Sequence, residues 1–296
     1  RRSSGPQNRT EGKGCRTLRV RRARPSDRQD IETLTTEAAH RSPCLWPWRD
    51  SLEDFGFVVV ELDDHLVGAL LATIDVPPVA WVRMAAISER LWAFEWISEL
   101  LHALQPHLTE AGARTLAWMG SQGWARSALQ RRGFETAARV ITLSKSDRSV
   151  PQVGAPEATL RPAIDADYGP MASIDRQAFD PLWWRSEESV RQRAATTSRF
   201  LVAELTGQVI GYAEREQHAH QGHVNRLVVE PNQQNVGIGG LLLRATLEHL
   251  WAAGSKVVSL NTQASNPASR GLYKRFGFRP TGAAATVWTL PLNATL

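Results

Sequence analysis

The sequence predicts a mixed α/β fold, an α+β mixed sheet with helices on its faces, built as two similar domains in tandem. Strand-like and helix-like segments alternate, the chain repeats itself at a nearly constant offset, and 296 residues suffice for two domains of about 150 each. The 42% hydrophobic and 22% charged content is typical of globular proteins. The apolar stretch 66–74 is far short of the ~20 residues that span a bilayer, so we expect no membrane partner.

The net charge of +5 comes from the N-terminus. Residues 1–24 carry nine Arg or Lys and one Glu, which leaves a net −3 on the remainder. We therefore expect residues 1–16 to be a disordered basic tail and expect no nucleic-acid partner, although a nucleic-acid-binding arm is the alternative. Cys15 and Cys44 form neither a disulfide framework nor a metal-ligand pattern, so we expect a cytoplasmic protein without a metal.

Four pairs of segments recur in the same order with an offset of 140–144 residues. They comprise an R-x-A-x-x-x-D start, a β-hairpin, a Gly-capped helix end followed by a strand, and a helix end with Gly-Phe. The pairs are 21–27 with 161–167, 57–68 with 200–211, 110–120 with 252–262, and 129–134 with 273–278. We expect one domain at 17–146, a linker at 147–158 and a second domain at 159–296. In both domains the predicted order of elements is strand, helices, hairpin, strand, helix, strand, helix, strand.

The stretch QQNVGIGGLL, residues 233–242, places three glycines before a predicted helix at 238–253. The preceding segment, 223–229, is rich in β-branched residues and predicts a buried strand. Free N–H groups and the helix dipole at such a helix start favour an anion, and glycine lets that anion approach the backbone.

Three kinds of phosphate loop compete for this stretch. A triphosphate loop would continue with Gly-Lys-Ser/Thr, but Leu241 follows the last glycine. A dinucleotide fingerprint would place a glycine at Leu242 and an acid where the next strand ends, at Asn261. The third reading is another phosphate-bearing cofactor, and a tight helix–sheet contact without a ligand is the structural alternative.

The segment VVEPNQQNVGIGGLLL resembles the acetyl-CoA-binding motif of the GNAT superfamily of N-acetyltransferases, Gln/Arg-x-x-Gly-x-Gly/Ala, which stands here at 234–239. The stretch NPASRGLYKRFGF, residues 266–278, resembles the second signature of the family, in which an Asn is followed by Leu-Tyr and then by Gly-Phe. Together the motifs cover most of 158–282. This resemblance implies two tandem acyl-CoA N-acyltransferase folds, with acetyl-CoA as acyl-donor co-substrate and an amine acceptor as partners.

The resemblance also implies which residues bind acetyl-CoA. Strands 224–229 and 257–261 would splay apart around the pantetheine arm, and main-chain amides near Val228 and Val229 would polarise the thioester carbonyl. The loop would hold the pyrophosphate, with Gln234 adding a side-chain donor. The implied cofactor-binding residues are Val228, Val229, Gln234, Asn235, Val236, Gly237, Ile238, Gly239, Gly240 and Asn266.

Tyr273 stands where the family has its general acid, and its alternative role is to pack its ring against the sheet. His223 and Glu214 are candidate bases, Glu216 shares a strand face with Glu214, and a water chain is the alternative to any single base. Alternation predicts that His223 shares a strand face with residues 225, 227 and 229, and that Val224, Arg226 and Val228 share the other.

In this family the acceptor is recognised largely by the segment between the first strand and the hairpin, here 175–190. Aromatic residues could line an acceptor slot and acidic residues could attract a cationic amine, whereas core packing and a solvated helix face are the alternatives. The candidates are Phe179, Trp183 and Trp184, and Asp180, Glu187 and Glu188.

The N-terminal repeat lacks the glycine loop and the tyrosine of the second repeat. Its loop position falls near LWAFEW, residues 91–96, which contains no glycine, and Leu129 stands where the second repeat has Tyr273. We expect a degenerate N-terminal copy, an organisation that resembles that of mycothiol synthases. The expected activity is acetyl transfer to a primary amine of a small molecule or protein N-terminus, by direct attack in a ternary complex. The alternative is a non-catalytic acyl-CoA sensor or scaffold.

Overall fold

The structure is a computed structural model that describes residues 18–38, 40–42, 48–88, 93–120, 123–154, 157–196 and 199–292. Side chains are described for all of these except 93–95. The predicted tail at 1–16, both cysteines and the start of LWAFEW lie outside the described residues. The chain divides into two compact units, one made from Arg1–Leu71 and Met84–Leu104 and the other from Ala72–Arg83 and Gln105–Leu296.

The first unit contains strands that pair antiparallel in the order β1-β3-β4, and β2 pairs with the end of β5. Helix α1 packs its buried face on this sheet, in a core that includes Ile31, Phe57 and Leu71. The elements that begin in this part of the chain are β1 (Leu18–Arg22), α1 (Arg28–Glu37), β2 (His40–Arg41), β3 (Phe57–Leu62), β4 (His65–Ile74), β5 (Val79–Ile87) and α2 (Ala93–Glu110).

The second unit is a mixed sheet with helices, which confirms the predicted fold class. Its strands follow the order β5-β6-β13-β7-β12-β11-β10-β9-β8, and the predicted hairpin at 200–211 and helix at 238–253 are confirmed. The remaining elements are β6 (Thr115–Gly120), α3 (Gly123–Arg131), β7 (Glu135–Lys145), β8 (Thr159–Pro162), α4 (Tyr168–Ala178), α5 (Glu187–Ala194), β9 (Arg199–Leu205), β10 (Gln208–His218), β11 (Gln221–Val229), α6 (Ile238–Ala252), β12 (Val257–Gln263), α7 (Pro267–Arg275) and β13 (Arg279–Pro291).

The last strands of the two repeats are exchanged. Strand β7, which ends the first repeat, pairs antiparallel with β12 of the second, from Val258↔Lys145 to Gln263↔Val140. Strand β13, which ends the second repeat, pairs antiparallel with β6 of the first and also with β7. The predicted domains at 17–146 and 159–296 follow the repeat, whereas the compact units follow the contacts, because each repeat completes its sheet with a strand from the other.

The recurring R-x-A-x-x-x-D motif has the same structure in both repeats. Arg161 donates to both carboxylate oxygens of Asp167, at 2.7 and 2.9 Å, and to Glu204 at 2.7 Å. The same Asp accepts from Ile164 N at 2.8 Å, which fixes the turn before α4. Arg21 makes the equivalent contacts with the aspartate and glutamate of the first repeat. The motif is therefore a clamp that fixes the first strand to the first helix and to the hairpin.

Candidate active site

Strands β11 and β12 separate halfway along their length. They pair in parallel from Gln221↔Val257 to Val224↔Leu260, and within the described residues their pairing ends there. Strand β12 continues alongside β7 as far as Gln263, while β11 continues alongside β10 as far as Val229. The main chain of β11 from residue 225 onward is thereby open on its β12 side. The predicted splay of 224–229 and 257–261 agrees with this register.

The glycine loop lies between the open end of β11 and the start of α6. Asn235 and Gly237 both have positive φ, 65° and 98°, so the backbone turns sharply before the helix. Leu241 N is the first amide to make an intrahelical bond, to Gly237 O at 3.0 Å. The amides of residues 238–240 precede it and lack intrahelical acceptors. The Gln234 side-chain amide donates to Val229 O at 3.0 Å, which closes the loop onto β11.

The linker between the repeats lies against this helix start. The side chain of Val153 comes within 3.0 Å of the position that a Cβ would occupy at Gly240. At Gly237 the corresponding distance, to Gly154 O, is 3.7 Å. Gly239 faces Leu272 and Val229 at ordinary van der Waals distances. Gly240 therefore serves close packing of the linker on α6, whereas Gly239 leaves space at the helix start.

Most of the second signature, residues 266–278, forms helix α7. Asn266 is the N-cap of this helix, and its Oδ1 accepts from Ser269 N at 3.0 Å. Tyr273 is buried, with its ring 6.0 Å from that of Phe278 in a T-shaped arrangement. Burial raises the pKa of Tyr273 to about 12, and a hydrogen bond with Ser269 opposes part of that rise. The ring packs as the structural alternative predicted, and the phenol stays protonated at neutral pH.

The candidate base His223 lies beside Ser259 on the neighbouring strand. Its Nδ1 is 2.8 Å from Ser259 Oγ, and that hydroxyl lies 3.4 Å from Gly222 O. If the hydroxyl donates to the carbonyl, Nδ1 carries the proton and Nε2 presents the lone pair. Burial lowers the pKa of His223 below 6.5, an effect that Glu216 and Glu214 oppose and Arg193 reinforces. The imidazole is therefore neutral at pH 7.

The predicted alternation along β11 is wrong beyond Val224. Val224 packs in the core cluster beneath α6, whereas Val228 packs in the cluster with α4. The pairing with β10 shifts register at this point, so Asn225 is an extra residue in a β-bulge, and a bulge reverses which face the following side chains occupy. His223 consequently shares the α4 face with Arg226.

The second candidate base, Glu214, is fully buried and ion-paired. Arg185 and Arg193 both donate to its carboxylate, with Arg193 Nε at 2.5 Å, and Asn225 Nδ2 lies 3.4 Å away. Arg193 also donates to Glu216 at 3.1 Å. An amine that reached Glu214 would have to displace a guanidinium from a buried carboxylate, which is unfavourable. These contacts favour a structural role for this glutamate.

The aromatic residues predicted to line an acceptor slot gather around Arg226. Its guanidinium lies 4.1 Å from the Phe179 ring centroid and donates to Trp183 O at 2.6 Å. Trp184 Nε1 donates to Phe179 O at 2.7 Å, and all three aromatic side chains are half-buried. The guanidinium in turn is held by the buried carboxylate of Asp175, with Nε at 2.9 Å.

The acidic residues of this segment are placed differently. Asp180, Glu187 and Glu188 are exposed. Glu187 accepts from Arg191 at 2.8 Å and Glu188 accepts from Gln192 at 2.9 Å, both within α5. These contacts favour the solvated helix face that was the alternative to attraction of a cationic amine.

Removal of the Asp175 carboxylate is expected to be strongly destabilising. Asp175→Ala leaves Arg226 as a largely buried charge and takes the acceptor from Tyr212 Oη, now 2.5 Å away. Breaking such a buried pair costs about 3–5 kcal/mol, measurable as the free energy of unfolding in denaturant. Asp165→Asn, at an aspartate whose side chain is 83% exposed, is the control and should change stability by less than about 0.5 kcal/mol. Equal losses in both variants would contradict this account of the network.

Residues 72–83 contribute contacts that sequence reasoning missed. Trp81 Nε1 donates to Leu182 O at 3.1 Å, and the rings of Trp81 and Trp183 lie 5.7 Å apart. The Asp75 carboxylate accepts from the main chain and hydroxyl of Ser186. Because these partners lie about a hundred residues apart in the sequence, no local motif predicts the contacts.

Within the described parts of the chain, no helix is both long enough and apolar enough to cross a membrane. No group of three or more His, Cys, Asp or Glu residues among those same parts is arranged to hold a metal ion.

Residues 169–278 match the model of the acetyltransferase (GNAT) family. The chain is 28% identical over 194 residues to a mycothiol acetyltransferase of Nocardia farcinica, which covers 58% of this chain and 63% of that protein, less than two thirds of its length. It is 23% identical over 123 residues, 42% of this chain and 82% of the other, to a Bacillus subtilis protein named as a candidate [ribosomal protein bS18]-alanine N-acetyltransferase.

The fold is similar to that of solved structures, one of which is a tandem protein. A tandem GNAT protein from the clavulanic acid biosynthesis pathway superposes with a TM-score of 0.67 at 16% identity, covering 95% of this chain and all of that one (100%). A GCN5-related N-acetyltransferase from Kribbella flavida superposes with a TM-score of 0.68 at 14% identity, covering 93% of this chain and 70% of that one. Both likenesses concern the fold.

Proposed function

Because this chain belongs to the GNAT superfamily of acyltransferases and has a tandem fold, we propose that its second repeat transfers an acetyl group from acetyl-CoA to a primary amine of a small molecule or protein N-terminus. The proposed route is direct attack of the amine in a ternary complex. The observation that carries the proposal is the separation of β11 from β12 beside a glycine-rich helix start.

The residues present fit acetyl-CoA. The amides of residues 238–240 point out of the start of α6 without intrahelical acceptors, as a pyrophosphate requires, and the helix dipole favours its charge. Gly239 has space at this start, with its nearest neighbours at 3.6 and 3.7 Å from an added Cβ. The open edge of β11 beyond Val224 offers main-chain groups to an extended pantetheine arm, as an added strand would use them.

When bound, acetyl-CoA supplies an activated acyl group and a thiolate leaving group. Main-chain amides near Val228 and Val229 are proposed to donate to the thioester carbonyl. Burial raises the pKa of Tyr273 to about 12, which keeps the phenol protonated at neutral pH and also makes it a weaker acid than a free tyrosine. We propose that it passes this proton to the sulfur as the bond between carbon and sulfur breaks. The Oδ1 of Asn266 caps α7, which leaves its Nδ2 for the cofactor.

His223 is the base that the geometry favours. It is neutral at pH 7, and its Nδ1 is hydrogen-bonded with Ser259 Oγ. It lies on the face of the sheet that packs against α4, as does the predicted acceptor-binding segment, residues 175–190. Glu214 is occupied by two guanidiniums. We therefore propose that His223 Nε2 accepts the proton of the amine, directly or through water.

The pH profile of kcat is expected to have an acidic limb from His223 with its midpoint below pH 6.5, and no limb from Tyr273 up to pH 10. His223 must be neutral, and burial lowers its pKa, so activity is lost as pH falls through that value. Tyr273 must be protonated, and a pKa of about 12 keeps it so across this range.

His223→Gln should lower kcat by about 10²-fold and abolish the acidic limb. His218→Gln, at a histidine with a 70% exposed side chain on the adjacent strand, is the matched control and should retain the limb. A limb that persists unchanged in His223→Gln would assign the base elsewhere.

Thiol release from acetyl-CoA in the presence of a panel of primary amines tests the function itself, alongside calorimetric titration of acetyl-CoA and CoA. Turnover with any amine supports the enzyme. Binding of acetyl-CoA without turnover of any amine would support the non-catalytic sensor, and absence of binding would overturn both. A cytoplasmic location stays a prediction from the cysteine content.

A further inference from the structure

The face of the sheet that carries His223 stays open to solvent beyond β11. Helix α4 packs on β10 and β11, but the neighbouring strands β12 and β7 present exposed or half-buried side chains on this face. The strand register aligns them, because residues that pair across adjacent strands point to the same side of a sheet. The five aligned residues, here called the polar face, are His223 of β11, Ser259 and Asn261 of β12, and Ser144 and Thr142 of β7.

The alternate residues of the same strands form part of the core. Val258, Leu260 and Leu143 are buried in the cluster beneath α6 and α7. Alternation along β12 and β7 is therefore apolar on one side of the sheet and polar on the other. Strand β7 belongs to the first repeat, so Thr142 and Ser144 reach this face through the exchange of the last strands.

Thr142 and Asn261 form a hydrogen-bonded pair on the polar face. Thr142 Oγ1 donates to Asn261 Oδ1 at 2.9 Å, which leaves the amide group at Nδ2 as a donor and the threonine oxygen as an acceptor. Asn261 is exposed, and its Nδ2 makes no hydrogen bond with any of the described residues. The pair can thus give one hydrogen bond to a ligand and accept one from it, which matches the needs of a hydroxyl group.

The pair lies beside the proposed reaction centre. Asn261 is the first residue of β12 beyond its last pair with β11, at the point where the two strands separate. Ser259, two residues earlier and about 7 Å away along the strand, has its Oγ 2.8 Å from Nδ1 of His223. A molecule the size of one six-membered ring can therefore place its amine at His223 and a ring hydroxyl at Thr142 and Asn261.

The charges around the polar face do not suit a second ionic group on the acceptor. Across the described strands β7, β12 and β13 the one acid is Glu135, at the far end of β7. Arg279 lies three strands away from His223 in the same row, about 14 Å. On the other side of His223, Glu216 is ion-paired with Arg193. The groups that this face can recognise are therefore neutral and hydrogen-bonding.

We propose that the polar face binds the acceptor and that the acceptor is a hydroxyl-bearing primary amine without a second charge. This assignment rests on the proposed acetyl transfer, and it makes Asn261 and Thr142 specificity-determining residues. Hydroxyls of the acceptor satisfy both side chains, whereas an amine without hydroxyls covers them and leaves their polar atoms unpaired. The first repeat, although it lacks the glycine loop, thereby takes part in selecting the substrate.

The test compares three primary amines on six-membered rings that differ in their hydroxyl groups, namely cyclohexylamine, trans-2-aminocyclohexanol and glucosamine, by thiol release from acetyl-CoA. Rates are corrected for the fraction of free amine at the assay pH. We expect kcat/KM to rise about tenfold or more from cyclohexylamine to glucosamine. Asn261→Leu and Thr142→Val, which nearly keep the side-chain shape, should each lower this preference about fivefold, through the KM of glucosamine.

Two controls keep the outcomes distinct. Thr136→Val, at an exposed threonine of β7 about 20 Å from Thr142, and Arg279→Gln should leave the preference unchanged. An unchanged Kd for acetyl-CoA shows that the Asn261 and Thr142 variants are folded. No preference for glucosamine in the wild type, a full preference in both Asn261→Leu and Thr142→Val, or the same loss in Arg279→Gln would overturn this inference and leave acetyl transfer intact. Binding of acetyl-CoA without turnover of any amine would overturn both.

Discussion

Gly239→Glu is expected to weaken acetyl-CoA binding by about a hundredfold, or roughly 2.8 kcal/mol, without destabilising the protein. Gly239 is the second residue of α6, in the turn whose free amides are proposed to hold the pyrophosphate. A carboxylate in this first turn interacts favourably with the helix dipole, and an added Cβ meets only ordinary contacts. The same carboxylate competes with the phosphate oxygens. Calorimetric titration with acetyl-CoA measures the loss, and thermal unfolding measures stability.

Two variants separate charge from bulk. Gly239→Gln has almost the same volume without the charge and should weaken binding less than Gly239→Glu. Gly123→Glu places a carboxylate in the first turn of α3, where an added Cβ meets nothing described within 4 Å, and should leave binding unchanged. Full affinity in Gly239→Glu would place the pyrophosphate away from α6 and would remove the basis for the proposed cofactor site.

Tyr273→Phe is expected to lower kcat by about 10²–10³-fold while the Kd for acetyl-CoA changes by less than about threefold. The ring contact with Phe278 is kept in this variant, and only the hydroxyl that bonds Ser269 is removed. Loss of proton donation to the thiolate slows the chemical step, because binding of the cofactor does not use that proton. Single-turnover thiol release under saturating substrates measures the effect.

Tyr168→Phe is the matched control, since Tyr168 is also buried, in α4, and lacks a proposed role in proton transfer. It should keep kcat within about threefold of the wild type. If Tyr273→Phe retained full kcat, the phenol would be a packing group only, and the proton would reach the thiolate by another route, such as water.

The sequence alone predicted the parts of the fold that depend on local pattern. The hairpin at 200–211, the helix that begins at Ile238 and the glycine-capped helix ends that precede β6 and β12 follow from periodicity and turn residues, and all are present. The R-x-A-x-x-x-D repeat pointed to a shared unit, and the clamp between Arg161 and Asp167 now gives its physical reason.

The exchange of β7 and β13 could not be predicted, because a strand carries the same alternation whichever strand it pairs with. The bulge at Asn225 was missed for a related reason: one extra residue changes the face of everything after it without altering the composition. The contacts of Trp81 and Asp75 with the turn at 182–186 were missed because each pair lies about a hundred residues apart in the chain and leaves no local pattern.

The exchanged strands also bear on the order in which the protein can be completed during synthesis. Strand β6, ending at Gly120, pairs with β5 on one side but lacks its other neighbour until β13, ending at Pro291, has left the ribosome. Such pairing between distant parts of a chain is slow to form and leaves a strand edge exposed to association meanwhile. The first repeat therefore cannot mature on its own as a nascent domain. The two copies, although separable by sequence, reach their native state only as one finished chain.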